Sequence, residues 1–182
     1  MYEAIAEENV MTLSSIASAW NTLSAAIAAE PARARAKYAP ATAVLDSGLR
    51  CRVTGPSGER IETDMPAALG GGGAAPNPGW FFRASLAACC STVIAAQAAR
   101  LGINLTKLEV TVEGEGDNRG MLGLDDSISA GHSALRTNVR IGAQGATSEQ
   151  LKELVQWASA HSPVGCTVDN GPTNTLRVDV LE

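Results

Sequence analysis

Aromatic residues, positive charge and cysteine are all scarce in this sequence of 182 residues. Aromatic side chains make up 4% of it while alanine is plentiful, a composition that suits closely packed helices. The formal net charge is −5, which argues against a role in coating nucleic acid or an anionic membrane, because both need a basic face. Four cysteines are too few for a disulfide scaffold, and no Cys-x-x-Cys pair offers the usual zinc spacing. We predict no nucleic-acid partner, no metal and no cofactor.

Targeting and membrane signals are also weak. The chain starts with MYEAIAEENV, which lacks the cationic region of a signal peptide, and sparse cysteines suit a reducing compartment, so we predict a cytoplasmic protein. Residues 80–99 have the length of a membrane span. This segment contains Arg83, several polar side chains and much alanine, whereas membrane spans consist mainly of larger apolar residues. We therefore predict a helix buried in a protein core and no membrane partner.

The first forty residues predict a helical extension followed by a connector. Apolar residues recur there at three- and four-residue spacing, and Pro31 ends the pattern. These residues are Leu13, Ile16, Trp20, Leu23 and Ile27. A polar, proline-bearing connector follows, so we predict an extension over 1–40 and one main domain over 41–182.

The main domain opens with two predicted strands on either side of the turn GPSG. A loop with four consecutive glycines, residues 70–73, comes next. It lacks the Lys-Ser/Thr pair of a phosphate-binding loop, so we interpret it as a plain loop. Asn77 then caps a long helix that ends before Gly102. The helix is apolar on nearly all sides, which predicts that a sheet and a partner enclose it.

The second half alternates strands and helices. TKLEVTVEGEG and SALRTNVRIGA predict two strands, the first with Leu108, Val110 and Val112 facing inward. Thr147 or Ser148 caps a further helix, and TLRVDVL predicts a closing strand. This order of elements is typical of an α+β fold.

The thiols are the candidate chemistry. Cys89 and Cys90 are neighbours on a helix and point about 100° apart, so at most one should face a given pocket, and a disulfide between them is out of reach. Most free cysteines are simply core residues. A reactive thiolate here would need a cation from elsewhere in the chain, and the candidates are Arg50, Arg52 and Arg119.

The run TDMPAALGGGGAAPNPGWFFRASLAACCSTVIAAQAARLGI, followed by an alternating strand and then HSPVGCTV, resembles the OsmC/Ohr family of thiol-dependent peroxide reductases. The resemblance extends from about Leu45 to the C-terminus. It implies an intertwined homodimer, with long central helices wrapped by antiparallel sheets and the N-terminal helix as an addition. It places the peroxide-reactive cysteine on Cys89 and favours Arg50, with Arg52 as the alternative, as the arginine of the site.

Two positions depart from the family pattern. Gly79 follows Asn77-Pro78 where the family has a glutamate, and Ser162 precedes proline where the family has a second cysteine. Asn77, Gly79 and Ser162 are therefore predicted pocket residues. Cys166 lies four residues after Ser162 and could reach the same pocket if the chain is helical there, although it could equally be a core residue.

The resemblance implies the reduction of organic hydroperoxides through Cys89 in oxidative stress defence, in an altered or impaired form. Cys166 or an external small thiol would regenerate Cys89. The alternatives are a non-catalytic protein that binds an apolar small molecule in the dimer pocket, and a redox sensor.

Overall fold

The computed structural model describes residues 12–181, so the acidic start of the chain lies outside the described residues. The first element is helix α1, Leu13–Ala29. The side chain of Thr12 caps it by accepting the Ser15 N–H at 3.2 Å. A single 3₁₀ turn, Pro31–Ala34, follows at once. The predicted N-terminal helix and its end before Pro31 are confirmed.

A three-stranded antiparallel sheet follows the connector, in the order β1-β2-β3. Its strands are β1 (Thr42–Ser47), β2 (Arg50–Thr54) and β3 (Arg60–Thr63). β2 and β3 flank the predicted GPSG turn. No strand was predicted over β1 from the sequence. Pairing with β2, from Thr42 opposite Thr54 onward, is what makes this segment a strand.

The long central helix α2 spans Pro78–Arg100, as predicted. Its N-cap is Asn77, whose Oδ1 accepts the Trp80 N–H at 2.9 Å. Gly102 has φ +69°, the left-handed conformation that commonly follows a helix end. By the criteria of length and composition, and by no other observation, α2 could span a membrane.

A second sheet packs against α2. It pairs β4 (Leu105–Gly116) with β5 (His132–Ala143) in antiparallel register, and the connecting loop contains one helical turn, α3 (Asn118–Met121). Helix α4 (Ser148–Ala160) and the short helix α5 (Pro163–Asp169) follow. The core lies between α2, α4 and this sheet, and its buried members are Val93, Ile94, Ala98, Leu154 and Ala158.

Two sequence details of this half are confirmed. Thr147 and Gln150 form a reciprocal capping box at the start of α4. Leu108, Val110 and Val112 are the less exposed residues of their part of β4. The mixed helix and antiparallel-sheet architecture is therefore the α+β fold that the element order predicted.

The predicted closing strand is wrong. Residues 171–181 have no regular structure, and the apolar side chains of Leu176, Val178 and Val180 are exposed, Val178 by 70%. Alternation gives a segment the ability to form a strand, but a strand also needs a neighbouring edge that pairs its backbone groups. Among the described residues, no strand pairs with this segment.

Candidate functional site

Cys89 lies on α2 beside the start of α5. Its Sγ accepts a hydrogen bond from the Ser162 hydroxyl at 3.2 Å and another from the Val164 N–H at 3.5 Å. The thiol is half-buried, so it remains within reach of a small molecule. The structure thus brings Cys89 together with Ser162, the predicted pocket residue from the distant turn.

Ser162 holds both neighbouring thiols. The Cys90 thiol donates to Ser162 Oγ at 3.7 Å, and the Gly165 N–H donates to the same oxygen at 3.2 Å. A hydroxyl has one donor and two acceptor lone pairs, so these contacts and the bond to Cys89 satisfy it completely. Both thiols contact this one hydroxyl, but Cys90 is buried whereas Cys89 is half-buried. The expectation that at most one of them faces a given pocket stays a prediction.

Cys166 lies on α5, so the chain is helical at the point where Cys166 was expected to reach towards the pocket. Its thiol donates to the Ala160 carbonyl oxygen at 3.4 Å. Cys89 accepts no hydrogen bond from it in the described chain. The structure therefore places Cys166 close to the turn without directing its sulfur to Cys89.

The candidate arginines belong to surface ion pairs in this single chain. Arg50 and Arg52 both bind Asp46, at 2.5 and 3.0 Å. The hydrogen bond from Arg50 and the positive charge of Arg52 hold the pKa of Asp46 below its usual range. Arg119 binds Asp117 at 2.5 Å. Within residues 12–181 none of the three hydrogen-bonds to Cys89.

Two adjoining cavities open beside the N-terminal end of α2. One, of about 530 Å³, is lined by Asn77, Gly79, Arg83 and His132 among others. The other, of about 500 Å³, shares Gly79 and His132 with it and extends to Val164. The predicted pocket residues Asn77 and Gly79 thus line a cleft that reaches the residue whose N–H binds Cys89.

The loop before α2 is organised by Asp64, which the sequence analysis did not single out. Its buried carboxylate accepts the N–H groups of Met65, Gly72 and Ala74, at 2.8, 3.1 and 3.0 Å. The Ala74 hydrogen bond is the largest cause that lowers the pKa of Asp64, and those from Met65 and Gly72 act in the same direction. An aspartate before a glycine run was the signal that could have revealed it.

The glycines of this loop have specific backbone roles. Gly70 and Gly73 adopt positive φ, +83° and +64°. A Cβ on Gly71 would overlap the carbonyl oxygen of Met65. These conformations let the chain wrap around Asp64. This agrees with the interpretation of the glycine run as a plain loop and not as a phosphate-binding loop.

The described chain is an α+β protein in which the long helix α2 packs on an antiparallel sheet and brings Cys89 to the serine that caps α5. The chain belongs to the OsmC-like family, because the family described as OsmC-like protein matches residues 70–177, more than half of its length. The suspected family is therefore confirmed. No curated protein matches the sequence significantly.

Solved structures support the same fold. The chain is similar to an OsmC-like protein from Mycoplasma pneumoniae, at 20% identity and a TM-score of 0.63 over 75% of this chain and 91% of that one. It is similar to an organic hydroperoxide resistance protein OsmC from Legionella pneumophila, at 24% identity and a TM-score of 0.55 over 75% and 93%. OhrB of Bacillus subtilis, an organic hydroperoxide resistance protein, gives 21% identity and 0.50 over 74% and 93%.

Proposed function

We propose that this protein reduces organic hydroperoxides through Cys89. The observation that supports this most directly is the pair of hydrogen bonds that Ser162 and Val164 donate to the Cys89 sulfur. Both would stabilise negative charge on that atom, and the thiolate is the nucleophilic form of cysteine. The organic hydroperoxide resistance proteins from Legionella pneumophila and Bacillus subtilis share the fold, which is consistent with the proposal.

The cavity lined by Val164, whose N–H contacts the Cys89 sulfur, suits the organic part of such a substrate. Apolar side chains of Phe82, Leu135, Val164 and Val168 line it. Small-molecule sites are concave and mostly apolar, with a few polar groups that fix orientation. An alkyl or aryl hydroperoxide could place its carbon skeleton there with its O–O bond near the sulfur.

The reaction that follows is a two-electron transfer. The Cys89 thiolate attacks the terminal peroxide oxygen, the O–O bond breaks, and the alkoxide takes a proton and leaves as an alcohol. Cys89 is oxidised to a sulfenic acid. A small thiol then condenses with the sulfenic acid to give a mixed disulfide and water, and a second thiol releases reduced Cys89 and a disulfide of the two small thiols.

Regeneration by an external thiol follows from the identity of residue 162. Ser162 binds the Cys89 sulfur but cannot form a disulfide with it. Cys166 donates its thiol hydrogen to Ala160 instead of to the Cys89 sulfur. The thiol reductant is therefore proposed as a separate small molecule.

The test is peroxide consumption by the purified protein. With cumene hydroperoxide and dithiothreitol, the wild-type protein should consume peroxide in proportion to protein concentration. Cys89→Ser should abolish this activity. Cys90→Ser is the matched control, one residue away and also in contact with Ser162, and it should retain most of it. An inactive wild-type protein would refute the proposal.

A second candidate function is the binding of an apolar small molecule without turnover. The apolar lining of the cavity that includes Val164 favours it, and so do the two departures at Gly79 and Ser162. The same assay separates the two functions, because a binding protein would bind cumyl alcohol or cumene hydroperoxide saturably without consuming peroxide.

We also propose that the protein is a homodimer, as the family resemblance implies. α2 buries one face on the second sheet, but Trp80 and Phe82 are exposed, Trp80 by 48%. Leu45 and Ile61 on the first sheet are exposed as well. Apolar faces of this kind on two elements are what an intertwined partner would cover.

A further inference from the structure

We propose that the cleft at the N-terminal end of α2 binds the acidic group of an amphipathic carboxylate, with Arg83 and His132 as the recognising side chains. The acidic group would bind at Arg83, while the apolar part of the ligand would share the cavity proposed for the carbon skeleton of the hydroperoxide. Binding requires no peroxide chemistry, so the proposal stands or falls independently of the proposed reductase activity.

Arg83 is one of three arginines of residues 12–181 that have no carboxylate within 4.0 Å; of the other two, Arg35 is exposed and Arg100 binds the amide oxygens of Asn21 and Gln97. The remaining arginines have a carboxylate within 4.0 Å, namely Arg33, Arg50, Arg52, Arg60, Arg119, Arg136, Arg140 and Arg177. Arg83 is half-buried and has no such neighbour among residues 12–181. A guanidinium that is partly removed from water without a counter-ion is the feature from which the inference starts.

The neighbour that Arg83 does have is another basic group. Its Nη1 lies 3.5 Å from His132 Nε2, which is long for a hydrogen bond between nitrogens. Guanidinium can only donate and has five N–H groups, so this single contact leaves its fork available. Two basic side chains that face one cleft form a binding site for a planar anion, and a carboxylate matches the guanidinium fork bidentately.

Gly79 keeps the space beside Arg83 open. A Cβ at residue 79 would stand 3.8 Å from Arg83 Nη1 and 3.3 Å from Asn77 Oδ1. An acidic side chain there would extend towards the guanidinium and pair with it. Asp117 also lines the cleft, but its two carboxylate oxygens bind Arg119. The cleft therefore leaves Arg83 available to a carboxylate from outside the chain.

The apolar walls of the adjoining cavity indicate the chemical character of the rest of the ligand. This cavity shares Gly79 and His132 with the Arg83 cleft, and its other walls include Phe82, Leu135 and Val164. A molecule with its carboxylate at Arg83 would pass His132 and place an apolar body between these side chains. At about 530 and 500 Å³, each cavity lies within the size range of small-molecule sites.

Calorimetric titration with a matched pair of probes tests the proposal on the full chain. The probes are 4-phenylbutyrate and 4-phenylbutan-1-ol, which differ at the acidic group. Wild-type protein should bind the carboxylate at least about tenfold more tightly, because a charge-assisted hydrogen bond contributes that much. Arg83→Gln should remove this preference and leave the affinity for the alcohol unchanged.

Two further variants make the result specific. Arg100→Gln is the matched control, because Arg100 lies on the same helix, binds only amide oxygens and does not line the cleft. It should retain the preference for the carboxylate. Gly79→Glu should abolish that preference by placing an internal carboxylate against Arg83, and a glutamate is a better helix former than glycine, so folding should survive.

The contrary results are equally definite. Equal affinities of the wild-type protein for the two probes would overturn the proposal, and so would an Arg83→Gln variant that keeps the preference. A loss of preference in Arg100→Gln equal to that in Arg83→Gln would assign the effect to general charge. Because the titration contains no peroxide, a failure here leaves the reductase proposal intact, and an inactive reductase leaves this one intact.

Discussion

Ser162 donates its hydroxyl hydrogen to Cys89 Sγ over 3.2 Å, from the position at which the family resemblance predicts a second thiol. The serine therefore occupies the geometric place of a resolving cysteine without its chemistry. It positions the sulfur, accepts a bond from Cys90 and caps α5, all through one oxygen. Under the proposed function, this arrangement would leave regeneration of the Cys89 sulfur to a separate thiol.

Ser162→Ala should slow the reaction of Cys89. Removal of one of the two donors lowers the stability of the thiolate, and a hydrogen bond to a charged group corresponds to about a tenfold change in rate. The measurement is the rate of alkylation by iodoacetamide at pH 7, followed by mass spectrometry of the Cys89 peptide. Ser159→Ala is the control, since Ser159 is exposed and lies outside the site. An unchanged rate in Ser162→Ala would mean that Val164 alone stabilises the sulfur.

Oxidised protein should mostly lack a disulfide between Cys89 and Cys166, because the Cys166 thiol is directed to the Ala160 carbonyl. Without added thiol, Cys89 should proceed to sulfinic acid. Peptide mapping under non-reducing conditions after one equivalent of cumene hydroperoxide measures both species. Ser162→Cys is the positive control and should form a disulfide with Cys89. A dominant bond between Cys89 and Cys166 in the wild type would make Cys166 the resolving residue.

Asp64→Asn should destabilise the fold in a pH-dependent manner. Hydrogen bonds from Ala74, Met65 and Gly72 lower the pKa of Asp64 in the folded chain, so its contribution is complete above the unfolded pKa, about 3.9, and is lost as pH falls through the folded value. The variant should lower Tm by several degrees at pH 7, and this difference should shrink below about pH 4.

Thermal unfolding of both proteins between pH 7 and pH 2.5 measures the effect of Asp64. Asp126→Asn is a suitable control, because Asp126 is exposed. A Tm difference for Asp64→Asn that stays constant across this range would show that the carboxylate charge does not stabilise the loop.

Light scattering at micromolar concentration should give about twice the chain mass of 18.7 kDa. The exposed apolar side chains of Trp80, Phe82, Leu45 and Ile61 are the physical reason. Trp80→Gln combined with Phe82→Gln should weaken the dimer if α2 lies at the interface, whereas Lys152→Gln on the exposed face of α4 should not. A monodisperse monomer of the wild type would contradict the dimer proposal.

Local sequence signals were sufficient for most of the fold. Asn77 with Pro78 fixed the start of α2, and Thr147 with Gln150 fixed the start of α4, because capping depends on residues a few positions apart. The alternation along β4 determined its inward face for the same reason. The two failures, β1 and residues 175–181, both concern strands, and a strand depends on a pairing partner that lies elsewhere in the chain or in another chain.

The sequence by itself determined the family, the central helix and the positions of Cys89 and Ser162, because each depends on local pattern or on the order of motifs. Only the tertiary structure decided that one serine hydroxyl binds two neighbouring thiols, that Asp64 organises the glycine loop, and that Arg83 and His132 lie side by side in one cleft. The serine and arginine relationships join atoms from separate elements, and their distances follow from the packing of α2 against α5 and the second sheet. The Asp64 contacts depend on how the loop folds back over up to ten residues. No pattern along the chain encodes those distances.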